Sequence, residues 1–277
     1  AASDVYKRQL SSREKLSYSK INANKLVGDL FSYDEFKTAF DTILGGAGIE
    51  SYSLSRFDMR FDSFDPEHYR DYAKLNRYLI SALAVTYNVQ NCYDSRNLFS
   101  QKQVSVAIKN KRFECENYDK AAESGGRDPA YARLELRSKC LTSNDIEKQF
   151  HGWYIRLDKA LKNLDKVHQR YNDELEKIYK EEKNSFPVKF RSLTDFLIQY
   201  QNCIFCKAQM VDLLSRFDEV KNPETRAKNH KKRYGIEYFS KMDVEYAVAE
   251  IKRAAEKFFK GTEMNLFEKS GTSTFNK

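Results

Sequence analysis

Residues 55–62 read Ser-Arg-Phe-Asp-Met-Arg-Phe-Asp, and their alternation decides the fold class. Arg56, Asp58, Arg60 and Asp62 fall on one parity, Phe57, Met59 and Phe61 on the other. Successive strand side chains point to opposite faces, so residues 52–62 are expected to form a strand with one buried and one charged face. Two later stretches repeat the pattern. In residues 112–118, Arg112, Glu114, Glu116 and Tyr118 oppose Phe113 and Cys115; in residues 132–137, Arg133, Glu135 and Arg137 oppose Ala132, Leu134 and Leu136. An earlier strand is expected within residues 15–24, and the Gly- and Pro-bearing stretch from Ser124 to Pro129 is expected to be a loop.

Helices surround these strands. Ser32-Tyr33-Asp34-Glu35 is a capping box, and the helix it opens carries Phe36, Phe40, Ile43 and Leu44 on one face before Gly45-Gly46 ends it. Asp65-Pro66 is expected to start a second helix, with Tyr69, Tyr72, Leu75, Leu79 and Leu83 as its apolar stripe. After residue 141 the pattern turns helical almost throughout. From Ile146 to Ile178 apolar residues recur every three or four positions, predicting one long helix or two broken near Val167, up to Phe186-Pro187. Another helix is expected from Leu193 to Phe217, a turn at Asn222-Pro223, and two more helical stretches around Gly235, the last ending near Lys260 ahead of a frayed tail. The expected class is α+β: an antiparallel sheet with packed helices over residues 10–141, then an all-helical region over 142–277.

Bulk properties narrow the setting. Residues 4–9, DVYKRQ, read as the translation of a transposase sequencing adapter, so residues 1–9 are set aside and the natural N-terminus is expected to be missing. A hydrophobic share of 41% with 14% aromatics excludes a wholly disordered chain. No apolar run approaches the roughly 20 residues that span a bilayer, so no membrane partner is expected. The formal charge of +8 favours a polyanionic partner, because neutralised phosphates release counterions. Five cysteines, an odd number, suit a reducing cytosol. The single CxxC at Cys203 and Cys206 lacks a second ligand pair and is expected to be part of an apolar helix face.

The polar strand faces hold the candidate chemistry. If the strands are neighbours, Asp58, Asp62, Glu114, Glu116 and Glu135 gather around the Tyr118 hydroxyl. Such a cluster repels phosphate unless a divalent cation sits within it, and hard oxygen ligands suit Mg²⁺ or Mn²⁺. A tyrosine placed there can act as a covalent nucleophile, with Lys120 near enough to favour its phenolate. The alternative is a solvated sheet face on which Arg56, Arg60, Arg112, Arg133 and Arg137 pair with these acids.

The order SRFDMRFD, ENYDKAAE and ARLELR, spanning about residues 53–139, resembles the rolling-circle replication initiators, in particular the filamentous-phage gene II nickase and related plasmid replication initiation factors. The resemblance implies that Tyr118 nicks origin DNA and becomes joined to the 5′ phosphate, with Lys120 as its electrostatic helper. It implies Asp58 and Glu135 as metal ligands or their supports, with Arg56, Asp62, Glu123, Arg133 and Arg137 in support; Glu116, read from the polar strand face, is the third expected ligand. Those initiators lack the His-hydrophobic-His metal motif, and here too His68, His151, His168 and His230 are scattered and expected on surfaces or helix faces. Glu114 and Glu116 depart from the more apolar strand of the relatives, which suggests either extra ligands or an edge strand.

Lys228, Lys231, Lys232 and Arg233 form a basic helix end ahead of Gly235, either a DNA-docking corner or a solvated helix terminus. The expected partners are origin DNA, single-stranded or as a hairpin, a host helicase, and a second copy through the long helical stripe. A non-catalytic origin-binding regulator and a conjugative relaxase are the competing expectations.

Overall fold

The computed structural model describes residues 7–9, 15–17, 32–46, 48, 51, 56–63, 68–89, 105–127, 132–139, 141, 144–185 and 190–260. Two short strands, β1 (Lys7–Gln9) and β2 (Lys15–Ser17), pair antiparallel, so three of the nine residues set aside take part in strand pairing. Helix α1 (Tyr33–Gly46) opens with Ser32 Oγ accepting from the Glu35 amide at 3.2 Å, as expected of the capping box. Phe36, Phe40 and Leu44 are buried on its inner face.

The sheet follows as the alternation predicts. Strands β3 (Arg56–Ser63), β4 (Val106–Lys109), β5 (Phe113–Asp119) and β6 (Ala132–Lys139) form one antiparallel sheet in the order β3-β6-β5-β4. β4 was not expected: Val106, Ala107 and Ile108 are all buried, so both faces are covered and no alternation marks the strand. Asn110 Oδ1 accepts from the amides of Arg112 and Phe113 at 2.8 and 2.9 Å, tightening the turn into β5. β4 covers the flank of β5, which is therefore an interior strand, not an edge. Residues 52–55 and 128–129, from the expected first strand and loop, lie outside the described residues, as do residues 18–24 of the expected early strand.

Helices α2 (Tyr69–Thr86) and α4 (Ile146–Leu161) pack on the apolar face of the sheet. Asn76 donates to Asn117 Oδ1 at 3.0 Å, Trp153 donates to Ser138 Oγ at 3.0 Å, and its ring meets Phe113 edge-on at 5.4 Å. The stripe expected for α2 is too narrow. From Arg77 to Ala84 every residue is buried, whereas Tyr72 is 42% exposed, because this helix runs between the sheet and the later helices. Its expected start at Asp65-Pro66 lies outside the described residues.

A four-residue helix α3 (Lys120–Glu123) follows β5. Beyond the sheet come α5 (Leu164–Lys183), α6 (Leu193–Gln199), a 3₁₀ turn (Gln201–Cys203), α7 (Lys207–Ser215), α8 (Pro223–Tyr234) and α9 (Lys241–Lys260). The long stripe is thus two helices, broken at Lys162 and Asn163, ahead of Val167. The helix expected over Leu193–Phe217 is also broken. Cys203 ends the 3₁₀ turn and Cys206 caps α7, its sulfur accepting from the Gln209 amide at 3.3 Å. Both side chains are buried thiols outside any disulfide among the described residues, but on a junction, not within a helix face. Asn222 caps α8, Pro223 fills its first turn and Gly235 ends it in the left-handed region at φ 61°. Phe186-Pro187 and the tail after Lys260 lie outside the described residues. One hydrophobic cluster joins Phe113, Leu134 and Leu136 of the sheet to Leu175, Phe205 and Val248 of the helices, so the core runs continuously past residue 141.

Candidate functional site

Register brings the three charged strand faces into a lattice. Arg137 lies between Asp58 on β3 and Glu114 on β5; Glu135 between Arg60 and Glu116; Arg133 between Asp62 and Tyr118. All these side chains share one face, opposite the residues that pack against α2 and α4. The sequence therefore places these residues on one face, and Tyr118 stands beside Glu135, but the carboxylates do not gather around the tyrosine as expected: Asp58, Glu114 and Glu116 turn to Arg137 and Asp62 to Arg133.

Each candidate carboxylate meets a cation. Arg56 Nε donates to both Asp58 oxygens at 2.7 and 2.9 Å. Arg133 grips Asp62 with two parallel bonds, Nε at 2.6 Å and a terminal nitrogen at 2.7 Å, the planar fork matching the carboxylate. Arg137 pairs with Glu114, with Glu135, and with Glu116 at 2.7 Å, while its Nε faces Asp58 at 3.7 Å. Burial works against the Arg137 charge, but Glu135, Glu116 and Glu114 outweigh it and hold the guanidinium firmly protonated. Burial pushes the Asp58 and Glu116 carboxyls upward despite these partners.

Tyr118 is half-buried and donates a 2.7 Å hydrogen bond to Glu135 Oε1. Burial, then that hydrogen bond and the Glu135 charge, raise its ionisation above the ordinary phenol range; Arg133 works the other way. Phenolate is scarce at neutral pH, so any nucleophilic role requires a proton acceptor, and Glu135 is in place for it. Lys120 opens α3 and pairs with Glu123. Both residues thus sit directly after Tyr118, joined to each other.

The carboxylates expected as metal ligands face arginine. Among the described residues no group of three or more His, Cys, Asp or Glu side chains is arranged to hold a metal ion. In this arrangement the donor set fits a guanidinium rather than a divalent ion, which demands several oxygens within about 2–2.6 Å.

Elsewhere, Lys228, Lys231, Lys232 and Arg233 are exposed on α8, which packs against α7, but His230 between them is buried. Of the two positions expected for that histidine, surface or helix face, it takes the second, on the inner face of the same helix. His168 is also drawn inward, bonded to the Tyr78 hydroxyl and 3.5 Å from the Cys206 sulfur. These three residues line a cavity of about 440 Å³ with Tyr238 and Phe239. No local pattern signals it, since its walls come from residues far apart in the chain.

No family model, curated protein or solved structure matches the chain.

Proposed function

We propose that this protein nicks and rejoins DNA through a covalent phosphotyrosine at Tyr118, as an initiator of rolling-circle plasmid or phage replication. The observation that carries this reading is the hydrogen bond from the Tyr118 hydroxyl to Glu135, with the Arg133 guanidinium beside it. In the proposed step Glu135 takes the phenolic proton while the tyrosine oxygen attacks phosphorus. The bond from phosphorus to the 3′ oxygen breaks, and that oxygen takes a proton from water. Arg133 offsets charge on the phosphoryl oxygens, and Lys120 lies two residues along the chain to assist. The phosphotyrosine conserves the energy of the diester, so rejoining by the free 3′ hydroxyl needs no nucleotide cofactor. The basic face of α8 supplies sequence-independent grip on the backbone. The motif resemblance over residues 53–139 supports the replication role.

The test is cleavage of a single-stranded origin oligonucleotide. Wild-type protein is expected to form an SDS-resistant adduct that Tyr118→Phe does not form, with DNA binding retained. Equal adduct formation by Tyr118→Phe would sink the proposal.

A second reading, an origin-binding regulator that does not cut, is favoured by the completeness of the ion pairing on this face. Wild-type protein that binds the oligonucleotide without ever cutting it supports that reading.

A further inference from the structure

Four carboxylates from three strands converge on one side chain. Asp58 comes from β3, Glu114 and Glu116 from β5, Glu135 from β6, and Arg137 lies among them with its side chain 13% exposed. We propose that the Arg137 guanidinium takes the place a divalent cation would take in such a cluster. The centre then binds neither Mg²⁺ nor Mn²⁺, and strand cleavage there does not depend on either ion. The part concerning cleavage rests on the function proposed above; the part concerning metal binding stands alone.

The charge balance supports this assignment. Arg137, Arg56 on Asp58 and Lys139 on Glu114 at 3.3 Å set three positive groups against four carboxylates. A divalent ion added to that set would leave excess positive charge beside a buried guanidinium. Removing Arg137 deepens the negative balance, leaving four carboxylates with two cations, a deficit of two charges that a divalent ion matches. Arginine suits the place because its fork is always charged and offers five donors in a fixed plane. One terminal nitrogen serves Glu114 and Glu116 while the other serves Glu135.

This geometry makes Arg137 a positioning residue. It holds Glu135 by Oε2, leaving Oε1 for the Tyr118 hydroxyl. The cation therefore acts on the proton acceptor rather than on the reacting phosphate.

Titration of the protein with Mn²⁺, followed by electron paramagnetic resonance, tests the metal arm. Wild-type protein is expected to leave the free-ion signal unchanged, whereas Arg137→Gln is expected to bind Mn²⁺ and to lose that binding when Glu135→Gln is added. Mn²⁺ binding by wild type that disappears in Glu116→Gln or Glu135→Gln would overturn the proposal, and this comparison holds even if Arg137→Gln fails to fold. Failure of a folded Arg137→Gln to bind Mn²⁺ would overturn it as well. The cleavage arm compares the oligonucleotide reaction in Mn²⁺ and in EDTA. Equal rates are expected; a loss on the order of a hundredfold in EDTA, the scale of Lewis-acid stabilisation, overturns the proposal. No cleavage under either condition refutes the nicking function, and the Mn²⁺ titration then decides the role of Arg137 by itself.

Discussion

Tyr118 and Glu135 are diagonal neighbours across the β5–β6 pair, joined by a 2.7 Å hydrogen bond in which the tyrosine donates. The contact depends on register. Arg133 is the direct partner of Tyr118, and Glu135 is one position further along the same face. Shifting either strand by one residue would turn one of the two side chains into the core.

Glu135→Gln isolates the acceptor. If Glu135 takes the phenolic proton, the variant keeps DNA binding but loses about 10²–10⁴-fold in adduct formation at neutral pH. Its residual rate is expected to increase as pH rises, because the Tyr118 proton, held on by burial, must then be removed by hydroxide. A pH–rate profile of the variant checks both points. An unchanged rate at neutral pH would remove Glu135 from the reaction.

The Asp62–Arg133 pair is a stability prediction. Both side chains are largely buried and joined by two charge-assisted bonds. Asp62→Leu removes the carboxylate that grips a largely buried guanidinium, so it is expected to destabilise by about 3 kcal/mol. The double change Asp62→Leu with Arg133→Leu is expected to cost clearly less than the two single changes together. Urea denaturation of the four proteins of that cycle measures the coupling.

His230 sets an acid limit. Burial, with Arg226 nearby, lowers its imidazole to about 4, and neither ring nitrogen has a hydrogen-bond partner among the described residues. The folded pKa lies below the unfolded value near 6.5, so the unfolded chain binds the extra proton between those limits. Stability from this group is therefore intact above about pH 6.5 and lost as pH falls from there towards 4. Relative to His230→Phe, wild type is expected to lose on the order of 2 kcal/mol between pH 7.5 and 4.5. Parallel pH dependence of the two proteins would show that His230 does not titrate in this way.

Local sequence made much of the sheet legible. Strict alternation in residues 56–62, 112–118 and 132–137 identified three strands and the face that carries Tyr118. It could not identify β4, because a strand covered on both faces shows no period. The stripe assigned to α2 was too narrow for the same reason: a helix packed on several sides buries Arg77 and Ser81 along with its leucines. The break at Cys203 and Cys206 was hidden in a run of apolar residues, where helix and tight junction look alike. That His230 takes the buried face of α8 was not legible, because basic neighbours on the outer face dominate the local composition.

By itself, the sequence determined which side chains share the polar face of each strand, since alternation is a property of the extended backbone. It also marked the start of α1 at Ser32, because a cap needs only the next few amides. The tertiary structure decided which residues face one another between strands. Register and strand order depend on packing of the apolar face against α2 and α4 and on long connections, none of which is local. That packing places Arg137 among Asp58, Glu114, Glu116 and Glu135, and brings Tyr118 within a hydrogen bond of Glu135.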